Sequence, residues 1–179
     1  MSLKRNLSKN ENKTYETDRL QIRPMSLDDA DLILELYNMP NFIRFIGNRN
    51  IGSLSDAENY IKTKFLPQFE KSGFGNYLII LKEGNQKIGG VGIFEREGLE
   101  IADIGFSVLE RFEGKGYMFE AAQKVKSIGM DDFGLKKISA ITTKDNFSSQ
   151  KLIEKLGLKF QKHVTLPNED EELMYYETE

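Results

Sequence analysis

The residues best suited to chemistry form one run: Arg111, Phe112, Glu113, Gly114, Lys115, Gly116 and Tyr117. Two glycines spaced by one residue let the backbone approach a ligand closely and take positive φ. The apolar run Ile104 to Leu109 before them reads as a buried strand. Met118, Glu120, Ala121, Ala122, Gln123 and Lys124 after them are helix formers. Strand, glycine turn and helix in that order aim several unpaired N–H groups at one point, where the helix dipole also favours an anion. Residues 112–117 would be the donors, with Lys115 as a point charge. A plain strand-to-helix turn uses the same residue types, so the rest of the chain has to decide.

The composition narrows the choice. With 179 residues, the chain fits one domain able to bury about two-thirds of its unfolded surface. There is no cysteine, which removes disulfides, thiolate metal sites and cysteine nucleophiles. His163 is the only histidine, so neither a histidine metal cluster nor a Ser-His-Asp triad is expected, and His163 reads as structural. A net charge of −3 without basic blocks argues against nucleic acid. No apolar stretch is long enough for a membrane span, and the N-terminus has no signal-peptide core. The expectation is a cytoplasmic protein without metal, nucleic-acid or membrane partners, as a monomer or homodimer.

The elements that must position the glycine turn follow from periodicity. Residues 1–14 are polar and aperiodic and read as a flexible tail before a single domain, 15–179. Leu20 and Ile22 alternate with polar neighbours in a strand ending at Pro24. Ser26 caps a helix with acids in its first turn, and Asn38-Met-Pro40 breaks it. Ser55-Asp-Ala-Glu58 has the form of a capping box for a second helix to about Glu70. Tyr77–Leu81, Lys87–Phe94 and Leu99–Leu109 read as three successive antiparallel strands joined by Gly-containing turns. A helix from Gly116 to about Asp132 is followed by a strand, Lys137–Thr143, and a short helix, Asn146–Leu156. Leu158–Leu166 and Leu173–Thr178 form a last pair around an acidic loop. The sum is an α/β (α+β) domain with a mostly antiparallel seven-stranded sheet and about four helices.

This order, with Arg111-x-x-Gly114-x-Gly116, resembles the GNAT superfamily of acetyl-CoA-dependent N-acetyltransferases, whose pyrophosphate motif is Q/R-x-x-G-x-G/A. Glu16-Thr-Asp-Arg-Leu-Gln-Ile-Arg-Pro24 with Asp28-Asp-Ala30 resembles the opening of its ribosomal-protein N-terminal acetyltransferase branch. So do Gly114-Lys-Gly-Tyr117 with Glu120-Ala121, and Asn146-x-x-Ser149 with Glu154-Lys-Leu-Gly157. The likeness spans residues 16 to 178.

The resemblance implies acetyl-CoA as cosubstrate and a splayed central strand pair, in which Phe106, Ser107 and Val108 offer main-chain groups to the pantetheine arm. Gly105 suits a bulge or close approach there, or equally a small residue under a helix. Asn146 would hydrogen-bond the pantetheine region, or cap its helix, or both. Ser149, one turn on, would reach the cofactor sulfur or its water.

The implied reaction is direct attack of a neutral amine on the thioester. A protein N-terminal amine, pKa about 7.7–8.0, is partly neutral near pH 7.4, whereas a lysine-like amine, pKa about 10.4, is only ~0.1% neutral. A base therefore matters more for the second. Asp103 matches a position where the family often carries glutamate acting through water; a salt-bridged strand carboxylate is the competing reading. Glu95 and Glu100 are weaker candidates. The position of the family's usual acid, a tyrosine, holds Ile153, which cannot donate a proton, so Ser149, Tyr117 or water must serve. The loops Gly47–Leu54 and Asn168–Glu172 and the first helices are expected to meet the acceptor, a protein N-terminus or small-molecule amine, and one of Tyr175 and Tyr176 to face the site. A different acyl-CoA, or a catalytically silent acyl-CoA sensor, remain alternatives.

Overall fold

The computed structural model describes residues 13–179. Most of the expected tail, residues 1–12, lies outside the described residues; Lys13 and Thr14 lead directly into a two-residue strand, β1 (Tyr15–Glu16). Two residues are too few to leave a periodic signal. Their place is set by distant contacts: the buried Tyr15 donates its hydroxyl to Asp132 at 3.2 Å and meets the Tyr77 ring edge-on.

In β2 (Leu20–Pro24), Leu20 and Ile22 point into the core. A 3₁₀ turn, Leu27–Asp29, opens α1 (Ala30–Tyr37), where Ser26 and Asp29 form a reciprocal capping box. Asp29 is fully buried and held by both Arg23 nitrogens, at 2.8 and 2.9 Å, with Lys87 at 3.1 Å. The segment after the Asn38–Pro40 break is itself a short helix, α2 (Pro40–Phe45), because Pro40 takes the first helical position, where its missing N–H costs nothing.

The next helix starts earlier than expected. Ser53, not Ser55, caps α3 (Leu54–Tyr60) by accepting the Asp56 N–H at 3.1 Å, and Asp56 in turn accepts the Gly52 N–H at 3.0 Å. A π turn, Ile61–Phe65, carries α3 into α4 (Leu66–Ser72). Pro67 explains the turn: it lacks an N–H, and its ring would strike the carbonyl four residues back in a regular helix.

The strands β3 (Asn76–Leu81), β4 (Gln86–Phe94) and β5 (Asp103–Val108) are antiparallel neighbours, as expected. After the glycine turn come α5 (Tyr117–Ser127), a π turn Ile128–Asp132, β6 (Ser139–Thr142) and α6 (Phe147–Lys155), then β7 (Lys159–Thr165) and β8 (Glu172–Glu177). Among the described residues the sheet has eight strands in the order β1-β2-β3-β4-β5-β6-β8-β7. The strand beyond the expected seven is β1; with α3 and α4 counted as the one helix expected there, the helix beyond the expected four is α2. Every neighbouring pair is antiparallel except β5–β6. Helix α5 packs on β2, β4 and β5, and α1 packs on β4. No helix of the described residues is long and apolar enough to cross a membrane.

Candidate active site

The central parallel pair is joined at one corner only, Asp103 opposite Ser139. There the Ser139 N–H donates to the Ala102 carbonyl at 2.9 Å, and its hydroxyl to the Ile101 carbonyl at 2.9 Å. From that corner β6 follows β8 along Ser139–Thr142, while β5 follows β4 up to Val108. The strands therefore diverge. Phe106, Ser107 and Val108, all half-buried, line a gap in which backbone groups facing β6 lack a strand partner among the described residues. Such groups are satisfied by an extended amide chain laid in as an added strand. Gly105 does not mark a bulge: the β4–β5 register is continuous, and a Cβ at Gly105 would press on the Phe94 ring at 3.1 Å. The close backbone approach is at Gly89, where a Cβ would lie 2.3 Å from the Ser107 carbonyl oxygen.

At the end of β5 the chain makes a 3₁₀ turn, Glu110–Phe112, and enters α5 through Gly114 and Gly116, at φ +71° and +80°. A Cβ on Gly114 would meet nothing within 4 Å, so the loop opens outward. The donors are shifted from those expected. The Phe112 and Glu113 N–H groups are spent on the carbonyls of Leu109 and Glu110, at 2.8 and 3.0 Å. The N–H groups of Gly114 through Phe119 make no hydrogen bond among the described residues; the first in α5 runs from Glu120 to the Gly116 carbonyl, at 3.1 Å. That is a row of open donors at a helix N-terminus, the geometry a pyrophosphate needs. Lys115 is exposed beside it without an acidic partner among the described residues. Phe112 is buried, and Arg111 is turned toward α1, where it meets Glu35. Burial and neighbouring Glu110 push the Glu113 carboxyl above its ordinary range.

Sequence reasoning did not assign a function to the side chains that hold this loop. Arg19, between β1 and β2, donates from Nη1 to the Lys115 carbonyl at 2.9 Å and from Nε to Glu120 at 2.7 Å. Its guanidinium lies 4.5 Å from the Tyr117 ring centre. Glu120 also accepts the Thr17 hydroxyl at 2.6 Å and the Arg19 N–H at 2.9 Å. Burial alone would raise the Glu120 carboxyl, but Thr17 and Arg19 outweigh it and hold it below the usual range. In a trans peptide the C=O of one residue and the N–H of the next point in opposite directions. By drawing the Lys115 carbonyl inward, Arg19 turns the Gly116 N–H outward.

On the far side of the gap, Asn146 caps α6, its Oδ1 accepting the Ser149 N–H at 3.3 Å. Its side-chain amide nitrogen and the Ser149 hydroxyl make no hydrogen bond among the described residues, so the capping role leaves Asn146 a free donor. Ile153 is 1% exposed and belongs to the core. Tyr176 also lies in the core, and Tyr175 is buried on the other face of β8, donating its hydroxyl to Glu177 at 3.1 Å. His163 is partly exposed on β7, 3.5 Å from Glu172.

Asp103 is 1% exposed at the corner of the splay. Its two oxygens accept from Arg96 Nε at 3.0 Å and Nη2 at 3.3 Å. Burial pushes its carboxyl above the ordinary carboxylate range, with Arg96 pulling against it. For Arg96, burial works against the charge, but Asp103, then Glu169 and Tyr60, hold the guanidinium charged. Sequence reasoning did not name Arg96. The acidic loop reaches this point because Pro167 packs on the β4–β5 turn, 2.5 Å from where a Cβ on Gly98 would lie. Glu95, by contrast, pairs with Lys71 at 2.8 Å, and Glu100 is exposed. Among the described residues no group of His, Cys, Asp and Glu side chains could hold a metal ion.

An open donor row can take an anion, and the strand-shaped gap leading from it, with a buried carboxylate at one corner, can take an extended amide chain. Comparison with known proteins identifies the family. The family described as Acetyltransferase (GNAT) domain matches residues 19–159. The uncharacterized N-acetyltransferase YoaA of Bacillus subtilis (strain 168) is 30% identical over 152 residues, 84% of each chain. The fold is shared with the ribosomal-protein-S5-alanine acetyltransferase from Vibrio fischeri, at TM-score 0.78 and 17% identity over 93% of this chain and 96% of that one. It is shared too with the microcin C7 self-immunity acetyltransferase MccE, solved with acetyl-CoA and AMP, at TM-score 0.74 and 19% identity over 90% and 93%. The chain belongs to the GNAT family of acetyltransferases, whose reaction is transfer of an acetyl group from acetyl-CoA to an amine.

Proposed function

We propose that this protein transfers the acetyl group of acetyl-CoA directly to a primary amine, a small molecule or a protein N-terminus, without a covalent enzyme intermediate. The observation that carries this reading is the single-corner pairing of β5 and β6, which puts the half-buried strand Phe106–Val108 and the buried Asp103 carboxylate at one gap. Acetyl-CoA supplies an activated acetyl thioester. The open N–H groups of Gly114–Phe119 bind the pyrophosphate, with Lys115 adding charge. Main-chain groups of Phe106–Val108 and the Asn146 amide orient the arm, so that the thioester is held in place rather than found by collision.

Asp103 takes the proton from the amine, through a water that makes up for its short side chain. A carboxyl raised by burial is a better base near neutral pH than an ordinary one. Arg96 keeps Asp103 oriented and ionised. The Ser149 hydroxyl donates to the departing sulfur. That sulfur has a pKa near 8.5 by analogy with cysteine, so it needs little help.

Thiol release from acetyl-CoA across a panel of amines tests the reading; release with at least one amine is expected. The buried Ile153 favours a second reading, a silent acyl-CoA sensor, since the helix offers no tyrosine. Tight acetyl-CoA binding with no release across the whole panel would select it.

A further inference from the structure

A concave surface lies outside the gap between β5 and β6. It is a cleft of about 390 Å³ between the loop after α2 and the α3–α4 turn, lined chiefly by Asn48, Arg49, Asn50, Asn59, Tyr60 and Lys64. Arg49 and Lys64 have no acidic partner within salt-bridge distance among the described residues. The one acid lining the cleft, Asp56, is committed to the Gly52 N–H at 3.0 Å and the Asp56–Ser53 cap. The charge there is thus positive by one. Neutral donors accompany it: Asn48 uses only its oxygen, accepting the Asn50 N–H at 2.8 Å, and the Asn59 side chain makes no hydrogen bond among the described residues.

The cleft connects to the reacting corner. Tyr60 lines it and meets the Tyr37 ring edge-on at 5.4 Å. Burial raises the Tyr37 hydroxyl pKa, with Tyr60 adding to it, while Arg49 and Arg96 both act to lower it, so both charges are felt at that hydroxyl. Arg96 in turn holds Asp103. The β7–β8 loop carries Glu169, whose charge is felt by Arg96, followed by Asp170 and Glu171, none with a cationic side chain in salt-bridge contact among the described residues. With Asp103 and Arg96 paired, the open charges that remain are negative on the β7–β8 loop and positive at Arg49 and Lys64.

We infer that the acceptor is an amine that also carries an anionic group, carboxylate or phosphate, with the anion held by Arg49, Lys64 and the neighbouring asparagine amides. This rests on the transfer reading above and adds the substrate class. A guanidinium suits either anion because its parallel N–H groups match two oxygens at once. The acidic loop takes the ammonium end before Asp103 removes its proton. A polyamine fits poorly, since its second cation would face Arg49.

The test compares matched acceptors: an alkylamine, the ω-amino acid and the aminoalkyl phosphate of the same chain length, and spermidine. Steady-state kcat/KM is measured for wild type, Arg49→Gln and Lys64→Gln, and acceptor binding to the CoA-saturated protein by calorimetry. The expected result is at least a tenfold preference for an anion-bearing amine over the alkylamine, with the preferred anion identifying carboxylate or phosphate. Arg49→Gln should shrink that ratio severalfold, while Arg49→Lys keeps part of it. Equal use of charged and neutral amines, spermidine as the best acceptor, or an unchanged ratio in Arg49→Gln overturns the inference. If the anionic amine binds in an Arg49-dependent way but is never acetylated, the subsite stands and the transfer reading falls.

Discussion

At the scale of single residues, two buried carboxylates meet opposite fates. Asp29 is ionised in the fold: burial pushes it up, but Arg23, the Ser26 N–H and Lys87 more than reverse this. A depressed folded pKa adds stability above the ordinary carboxylate range and loses it as pH falls through the folded value. Asp29→Asn should therefore lower stability at pH 7 by about 3 kcal/mol, because it strands Arg23 and Lys87 beside a neutral group. In denaturant titrations the gap should narrow toward pH 3. Asp103 is raised instead, so its ionisation opposes folding as pH climbs, and its proton is held closer to neutrality. As a base it must be ionised to work, so kcat/KM for a lysine-like acceptor should rise with pH through a limb above the usual carboxylate range. Asp103→Asn should cost about 10²–10⁴-fold and abolish that limb. An intact limb in the variant would remove Asp103 as the base.

At the scale of elements, the turn into α5 depends on a strand turn a hundred residues away. Arg19 and Glu120, at a sequence separation of 101, fix the peptide between Lys115 and Gly116. Arg19→Gln and Glu120→Gln should each raise KM for acetyl-CoA about tenfold, the scale of one charge-assisted hydrogen bond. Both should leave transfer from acetylpantetheine, which has no pyrophosphate, nearly unchanged. A general loosening of the fold would damage both donors alike. The local chemistry of this region was legible in the sequence: Gly114, Gly116 and the capping Asn146 announce themselves because turns and caps are written in neighbouring residues. The clamp was not, because nothing near Glu120 says that Arg19 will stand over it. Asp103 was caught between two readings for the same reason. Its partner Arg96 lies across a turn whose path the sequence does not state. The helix start at Ser53 rather than Ser55 is a smaller case, two adjacent motifs of equal local merit separated by where Asp56 could reach.

At the scale of the whole molecule, the order of strands and helices was readable, since alternation and glycine punctuation carry it. The separation of β5 and β6 was not a matter of periodicity, and only likeness to a family suggested it. Ligand binding across that gap should stabilise the whole domain: at a hundredfold excess of acetyl-CoA over Kd, mass action adds about 2.7 kcal/mol. Thermal melts with CoA and with pantetheine, which lacks the nucleotide and its pyrophosphate, would show how much each part of the ligand contributes. The single Asp103–Ser139 pairing has a further consequence for how the protein comes apart. The blocks β1–β5 and β6–β8 share only a corner of backbone bonding, so without ligand they are expected to open as separate cooperative units. Native-state hydrogen exchange should find the β6–β8 amides released together, at a lower free energy than β3–β5. With acetyl-CoA spanning the gap, the two exchange classes should merge into one.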